Sequence, residues 1–124
     1  MATVLVVEDE PEVQATLCEM LAQGGHEPVS ARTGQAAMED VRGLSYDLLI
    51  TDIVMREVDG WQVIRWLRAN RPALPVIAIS GGARALHPET ALNLSRAYGA
   101  HRALTKPVSQ QQLLETVADL LRPT

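Results

Sequence analysis

The fold is decided by a short apolar run that ends in a carboxylate, within the stretch Tyr46-Asp47-Leu48-Leu49-Ile50-Thr51-Asp52-Ile53-Val54-Met55. Residues 48–50 predict a buried strand, and Asp52 stands where the run ends. A carboxylate in the middle of a buried strand would be costly to desolvate, whereas one at its end can meet water, a metal ion or a ligand. The stretch therefore predicts a functional carboxylate at the end of a central strand.

Three further apolar runs also end in polar residues. Residues 4–7 lead into Glu8 and Asp9, residues 76–79 lead into Ser80, and residues 103–105 lead into Lys106. If the strands are parallel, these side chains lie at one edge of one sheet together with Asp52. We expect carboxylates, a hydroxyl and an ammonium group to share a crevice there.

Strand and helix patterns alternate five times, without repeats or linkers. Thr33 is a predicted N-cap, Ser109 with Gln112 forms a predicted capping box, and Pro28 suits a strand at the edge of the sheet. Short alternating elements require right-handed crossovers and a parallel sheet with helices on both faces. We expect one α/β domain over residues 1–124, with its ligand site at the carboxyl ends of the strands.

Composition excludes several classes of function. The 124 residues are 47% hydrophobic, carry a net charge of −4 and contain no basic block, which disfavours direct nucleic-acid binding. No stretch approaches the roughly 20 apolar residues of a membrane span, and no signal peptide is evident. The single Cys18 cannot form an internal disulfide. We therefore expect a cytoplasmic protein.

The crowded carboxylates indicate phosphoryl chemistry with a metal ion. Several carboxylates can be ionised together only if a cation lies among them, and oxygen ligands of this kind suit Mg²⁺. A carboxylate can also attack phosphorus to give an aspartyl phosphate, with the metal ion and a lysine neutralising the phosphoryl oxygens. The crevice therefore fits transfer of a phosphoryl group to an aspartate.

Four motifs in order resemble the receiver domain of bacterial two-component response regulators. They are residues 4–10, Asp52 with Met55 and Gly60, Ser80, and Lys106-Pro107. The resemblance covers essentially the whole chain. It implies a flavodoxin-like three-layer α/β/α fold with five βα units and a five-stranded parallel sheet in the order 2-1-3-4-5.

The resemblance also implies a role for each site residue. Asp52 would be the phosphoacceptor, and Ser80 and Lys106 would contact the phosphoryl group. Mg²⁺ would be held by Asp9 directly, by Glu8 through water, by Asp52 and by the backbone carbonyl of Val54. The protein would be a switch rather than an enzyme, catalysing only its own phosphorylation and dephosphorylation.

The partners follow from the same resemblance. A sensor histidine kinase or a histidine phosphotransfer protein would donate the phosphoryl group. A downstream effector would bind the face formed by the helix 88–98, the strand 103–105 and the helix 109–121, and a homodimer is a further expected form. No nucleic acid and no membrane is expected to bind this chain directly.

Three positions depart from the family pattern. Arg56 replaces a usual proline, Gly81 replaces a usual alanine, and Ala103 stands where an aromatic ring commonly turns inward on activation. Since Ala103 has no ring, we expect the segment 83–98 to transmit the change, with the glycines at 81 and 82 as its hinge.

Two other functions are compatible with parts of the sequence. A receiver-like interaction module that no longer uses phosphate is favoured by Ala103 and the altered segment after Ser80, and disfavoured by the intact acidic, serine and lysine positions. A flavodoxin-like cofactor binder is disfavoured because the crevice is acidic and no phosphate-binding glycine loop follows the first strand.

Overall fold

Five parallel strands form the centre of the molecule. The structure is a computed structural model that describes residues 2–43, 45–53, 60–81 and 99–122, with only the backbone of Trp61. The strands lie in the spatial order β2-β1-β3-β4-β5, which confirms the predicted sheet. Their bounds are β1 Thr3–Val7, β2 Glu27–Ala31, β3 Leu48–Asp52, β4 Val76–Ser80 and β5 Arg102–Thr105.

Four described helices cover the two faces of this sheet. They are α1 Pro11–Gln23, α2 Gly34–Gly43, α3 Gly60–Asn70 and α4 Gln110–Leu121. One core cluster joins α2 and α3 to the sheet, and a second joins α1 and α4 to its other face. Every residue of β3 and β4 is buried because both strands are central and covered on both sides. The predicted helix 88–98 lies outside the described residues.

The helix starts follow the local signals in the sequence. Thr33 Oγ1 accepts a hydrogen bond of 3.0 Å from the Ala36 amide, and Ser109 Oγ accepts one of 3.0 Å from the Gln112 amide. Each bond satisfies an amide that the helix itself leaves without a partner. Both predicted caps are confirmed, and Pro28 lies in the edge strand β2 as expected.

Two histidine side chains accept backbone hydrogen bonds at the N-terminal ends of neighbouring strands. The Val76 amide donates to His101 Nδ1 at 3.1 Å, and the His101 amide donates to the Val76 carbonyl at 2.9 Å. His26 Nδ1 accepts in the same way from the Ala2 amide at 3.2 Å. In each case an imidazole nitrogen with a free lone pair extends the hydrogen bonding beyond the end of the ladder.

Acid should weaken the His101 contact, because a protonated Nδ1 cannot accept. Burial and the nearby charges of Arg68 and Arg102 lower the pKa of His101 below its usual value of 6.5. A base whose pKa is lower in the folded state adds stability above its unfolded pKa and loses it as the pH falls through the folded pKa. The loss should be that of one hydrogen bond, about 0.5–1.5 kcal/mol.

The measurement compares wild type with His101→Asn by urea unfolding at several pH values. The Asn Oδ1 can accept the same bond without titrating. From about pH 7.5 to about pH 5, wild type should lose more free energy of unfolding than the variant. Parallel pH profiles would show that His101 protonation does not matter to stability.

Candidate functional site

The predicted site residues meet at the carboxyl end of the sheet. Asp52 is the last residue of β3 and Ser80 the last of β4, while Glu8 follows β1 and Lys106 follows β5. The strand ends are level, since Asp52 pairs with Ile79 and Ser80 pairs with Thr105. Parallel pairing in this register brings residues from four strands to one edge, as the sequence predicts.

Lys106 joins the two most buried carboxylates of this edge. Its Nζ lies 2.8 Å from Glu8 Oε1 and 2.9 Å from Asp52 Oδ2. The exposed fractions of the Glu8 and Asp52 side chains are only 1% and 5%, against 13% for Lys106. Carboxylates buried to this extent require a counter-charge, and the ammonium group supplies it.

Crowding changes the protonation of the site. Burial, followed by a hydrogen bond to Asp52, raises the pKa of Glu8 from 4.5 to about 8, although Lys106 acts in the opposite direction. Burial alone would lower the pKa of Lys106, but its hydrogen bonds to Glu8 and Asp52 outweigh this and raise that pKa above 10.5. In the site without a metal ion, burial and crowding therefore favour the protonated form of Glu8, and the two carboxyl groups favour the charged form of Lys106.

The structure gathers three carboxylates, and the third differs from the one expected. One oxygen each of Glu8, Glu10 and Asp52 lies within 4.8 Å of the others, whereas Asp9 is not in this group. Glu10 is the residue that precedes α1, just after the end of β1. The role of Asp9 as a ligand stays a prediction.

This donor set fits a hard divalent cation. Carboxylate oxygens at this spacing, two of them buried, match the ligands that Mg²⁺ takes, and a cation would offset their mutual repulsion. Asp9 adjoins the group, and its amide donates to Glu8 Oε2 at 3.2 Å. The Val54 carbonyl, predicted as a further ligand, lies outside the described residues.

Ser80 has a buried hydroxyl with no hydrogen-bond partner among the described residues. The residue is 3% exposed, and an unsatisfied hydroxyl at such a position is unfavourable. Its carbonyl accepts from the Lys106 amide at 2.7 Å, so the chain after β4 is tied to the residue that carries the ammonium group. Gly81 follows with φ +114°, a conformation that favours glycine.

Gly60 allows α3 to begin against the residues of the site. The Gly60 amide donates to the Ile53 carbonyl at 2.8 Å. A Cβ at this position would overlap the Asp52 carbonyl oxygen and lie 2.7 Å from Ile53 Cα, both of them backbone atoms. Glycine is therefore required by close approach of the helix to the end of β3.

The side chain of Gln14 is buried although its place in the sequence does not predict this. Its Nε2 donates to the Ala31 carbonyl at 3.0 Å and to the Glu8 carbonyl at 3.4 Å, so it ties α1 to the ends of β1 and β2. A polar residue in an amphipathic helix predicts exposure, so the pattern carried no signal for this contact. Glu10 was likewise not among the predicted site residues.

The parallel sheet with helices on both faces carries carboxylates and a lysine ammonium at one edge. Comparison with known proteins specifies the class of protein to which this arrangement belongs. A model of the response regulator receiver domain family matches residues 4–118. The chain belongs to this family, the receiver domains of two-component response regulators, which act as signalling switches.

Known relatives share about a third of the sequence. Protein PilH of Pseudomonas aeruginosa is 33% identical over 98% of this chain and 98% of its own length. The transcriptional regulatory protein CusR of Escherichia coli is 31% identical over 95% of this chain, and TcrA of Mycobacterium tuberculosis is 33% identical over 96%. The chain spans nearly all of PilH but about half the length of CusR and TcrA.

Solved structures agree on the fold. The Francisella response regulator 1452 receiver domain superposes with a TM-score of 0.88 at 26% identity, covering 98% of this chain and 97% of that one. A putative response regulator from Chloroflexus aurantiacus gives 0.87 at 26% identity, covering 97% of each chain. Among the described helices, none has the length and apolar character that crossing a bilayer requires.

Proposed function

We propose that the 124 residues form one receiver domain that accepts a phosphoryl group on Asp52 and switches its partners accordingly. The observation that carries this proposal is the buried Asp52 carboxylate at the end of the central strand, 2.9 Å from Lys106 Nζ and beside a second carboxylate bound to the same ammonium group. The donor would be a sensor histidine kinase or a histidine phosphotransfer protein.

The residues of the site have the chemistry that this transfer needs. An Asp52 carboxylate oxygen forms a bond to phosphorus, the P–N bond of a phosphohistidine breaks, and the imidazole leaves with the bonding electron pair. Lys106 neutralises charge on the phosphoryl oxygens, as a compact ammonium group can. The Ser80 hydroxyl, which has no hydrogen-bond partner in the described part of the chain, then donates a hydrogen bond to one of these oxygens.

Mg²⁺ fits the acidic side of the site. The proposed ligands are Asp9, Glu8, Asp52 and the Val54 carbonyl. A carboxylate oxygen of Glu10 also lies within 4.8 Å of oxygens of Glu8 and Asp52. When bound, the ion would neutralise phosphoryl oxygens and relieve repulsion among the carboxylates. The chain's own part is to hold these oxygens close together in a buried position.

A protein donor is supported by an apolar groove beside the site. The groove has a volume of about 490 Å³ and is lined on one side by α1 residues such as Val13, Leu17 and Met20. Lys106, Pro107 and Val108 line its other side, so the groove adjoins the lysine that contacts Asp52. A phosphodonor protein could bury apolar side chains here while presenting its histidine to Asp52.

The effector face remains as proposed from the sequence. Its described part comprises β5 and α4, and Ala103 in β5 is partly buried without the volume of an aromatic ring. The helix 88–98 and the hinge residue 82 lie outside the described residues. Hydrogen exchange with and without a beryllofluoride phosphate mimic tests this relay, and unaltered protection in residues 83–98 would contradict it.

Replacing Asp52 by Asn should abolish phosphorylation without unfolding the protein. Amide and carboxylate have nearly the same shape, but the amide is not a nucleophile toward phosphorus. The measurement is intact mass after incubation with acetyl phosphate or phosphoramidate and Mg²⁺. Wild type should gain one phosphoryl group and Asp52→Asn none, which corresponds to complete loss of labelling.

Asp119→Asn is the matched control, because the side chain of Asp119 is 53% exposed and pairs only at the surface with Arg122. It should label like wild type. Labelling of Asp52→Asn at the wild-type level would refute the assignment of the phosphoacceptor. Absence of labelling in the wild type itself would favour the phosphate-independent interaction module.

A further inference from the structure

The amide side chain of Gln14 is buried in α1, and the proposed function gives it no role. Gln14 is 8% exposed, and the other buried residues of this helix, Leu17 and Leu21, are apolar. A buried amide costs free energy unless its polar atoms find hydrogen-bond partners. Gln14 Nε2 donates to the Ala31 carbonyl at 3.0 Å and to the Glu8 carbonyl at 3.4 Å. The shorter and stronger of these bonds reaches the end of β2.

The backbone of Glu8 is held by the same group of atoms. The Glu8 amide donates to the Ala31 carbonyl at 3.0 Å, so this carbonyl accepts from both Glu8 and Gln14. A carbonyl oxygen has two lone pairs and can accept both bonds. Gln14 thereby connects the end of β2 to the residue that carries one of the buried carboxylates of the site.

The chain bends directly after Glu8. Residues 9 and 10 form this bend between β1 and α1, and α1 begins at Pro11. The backbone amide of Gln14 donates to the Glu10 carbonyl at 3.0 Å. Gln14 therefore contacts backbone carbonyls on both sides of Asp9, with its side chain before the bend and its amide after it.

We propose that Gln14 is a positioning residue that raises the affinity of the site for Mg²⁺ by holding the backbone of residues 8–10 in place. The inference rests on the proposed function, which assigns Glu8 and Asp9 as ligands. A segment that is ordered before the ion arrives loses less conformational entropy when it binds. Gln14 would act through the backbone and not as a ligand.

The first test measures Mg²⁺ binding to Gln14→Met by calorimetry. Methionine has a similar length but no N–H donor, so it keeps the volume and removes both side-chain hydrogen bonds. The dissociation constant should rise about 10-fold, which is the lower end of the range for groups that orient metal ligands. Gln14→Asn, whose amide is one methylene shorter and cannot reach as far, gives the same test if the methionine variant does not fold.

Hydrogen exchange in a chelator gives a readout without the metal ion. The Glu8 amide should exchange faster in Gln14→Met than in wild type, because the carbonyl that it contacts loses its second partner and the bend is less constrained. Amides near the end of α1 should keep their protection. Equal protection of the Glu8 amide in both proteins would contradict the positioning role.

Phosphorylation by acetyl phosphate separates the metal site from the phosphoacceptor. Gln14→Met should raise the Mg²⁺ concentration that gives half the maximal rate by the same factor as the dissociation constant, and by more than it lowers the rate at saturating Mg²⁺. A lower maximal rate with an unchanged half-saturating concentration would show that Gln14 acts on Asp52 and would overturn the inference.

Leu21→Val is the matched control, because Leu21 is fully buried in the same helix and its side chain is apolar. This variant should lose stability but bind Mg²⁺ as wild type does. Equal weakening of Mg²⁺ binding in Leu21→Val and Gln14→Met would show an effect of stability alone and refute the inference. Wild-type Mg²⁺ affinity in Gln14→Met would also refute it and leave the proposed function intact, whereas failure of wild type to label would reject both.

Discussion

Gly60→Ala is expected to lower the free energy of unfolding by more than about 2 kcal/mol. The added Cβ would overlap the carbonyl oxygen of Asp52 and press on Ile53 Cα, so the start of α3 or the end of β3 must move. Backbone atoms cannot rotate away as the end of a side chain can. Urea unfolding measures the loss, and the displaced Asp52 should also slow phosphorylation.

Gly43→Ala is the control for this prediction. Gly43 also lies in a helix, but a Cβ there would meet nothing within 4 Å. Alanine favours the helical conformation over glycine by up to about 1 kcal/mol, so this variant should be slightly more stable or unchanged. If Gly60→Ala were as stable as Gly43→Ala, the close approach of α3 to β3 would not be a constraint on the fold.

Glu8→Gln should change the way in which stability depends on pH in the absence of metal ions. The folded pKa of Glu8, about 8, lies above its unfolded value of 4.5. The contribution of such a group is fully present below the unfolded pKa and is lost as the pH rises through the folded pKa. Gln is neutral at every pH. The free energy of unfolding of the variant, relative to that of wild type, should therefore rise by about 2–4 kcal/mol between about pH 5 and about pH 8.5.

The measurement is urea unfolding in a chelator at both pH values, followed by the same measurement with Mg²⁺. A divalent cation should stabilise the Glu8 carboxylate and therefore reduce the advantage of the variant at high pH. Glu12→Gln, an exposed substitution on α1, should show the pH dependence of wild type. If the free energies of unfolding of Glu8→Gln and wild type differed by the same amount at every pH, the raised pKa of Glu8 would be contradicted.

Much of the fold was predictable because its signals are local. Apolar runs bounded by polar residues locate β1, β3 and β4, and Pro28 marks β2 as a strand at an edge of the sheet. Thr33 and Ser109 mark helix starts through bonds that span three residues. Parallel pairing then places the strand ends at one edge, which made Glu8, Asp52, Ser80 and Lys106 predictable as neighbours.

The missed features depend on contacts between distant segments. Gln14 is polar in the sequence, but it is buried because carbonyls at the ends of two strands need a donor there. Gly60 is part of the motif that carries the family resemblance, but the reason for a glycine there, close approach to the backbone of Asp52 and Ile53, appears only in the structure. The proximity of a Glu10 oxygen to oxygens of Glu8 and Asp52 depends on the path of the chain between β1 and α1, and the predicted role of Asp9 as a ligand stays a prediction.

The bond from Lys106 to Glu8 joins residues separated by 98 positions in the chain. Closing so long a segment is entropically unfavourable, so this contact should form late in folding and in synthesis. Until β5 docks, the carboxylates lack their ammonium group. A nascent or partly folded chain would therefore not accept a phosphoryl group. Phosphorylation would take place only after β5 has joined the sheet.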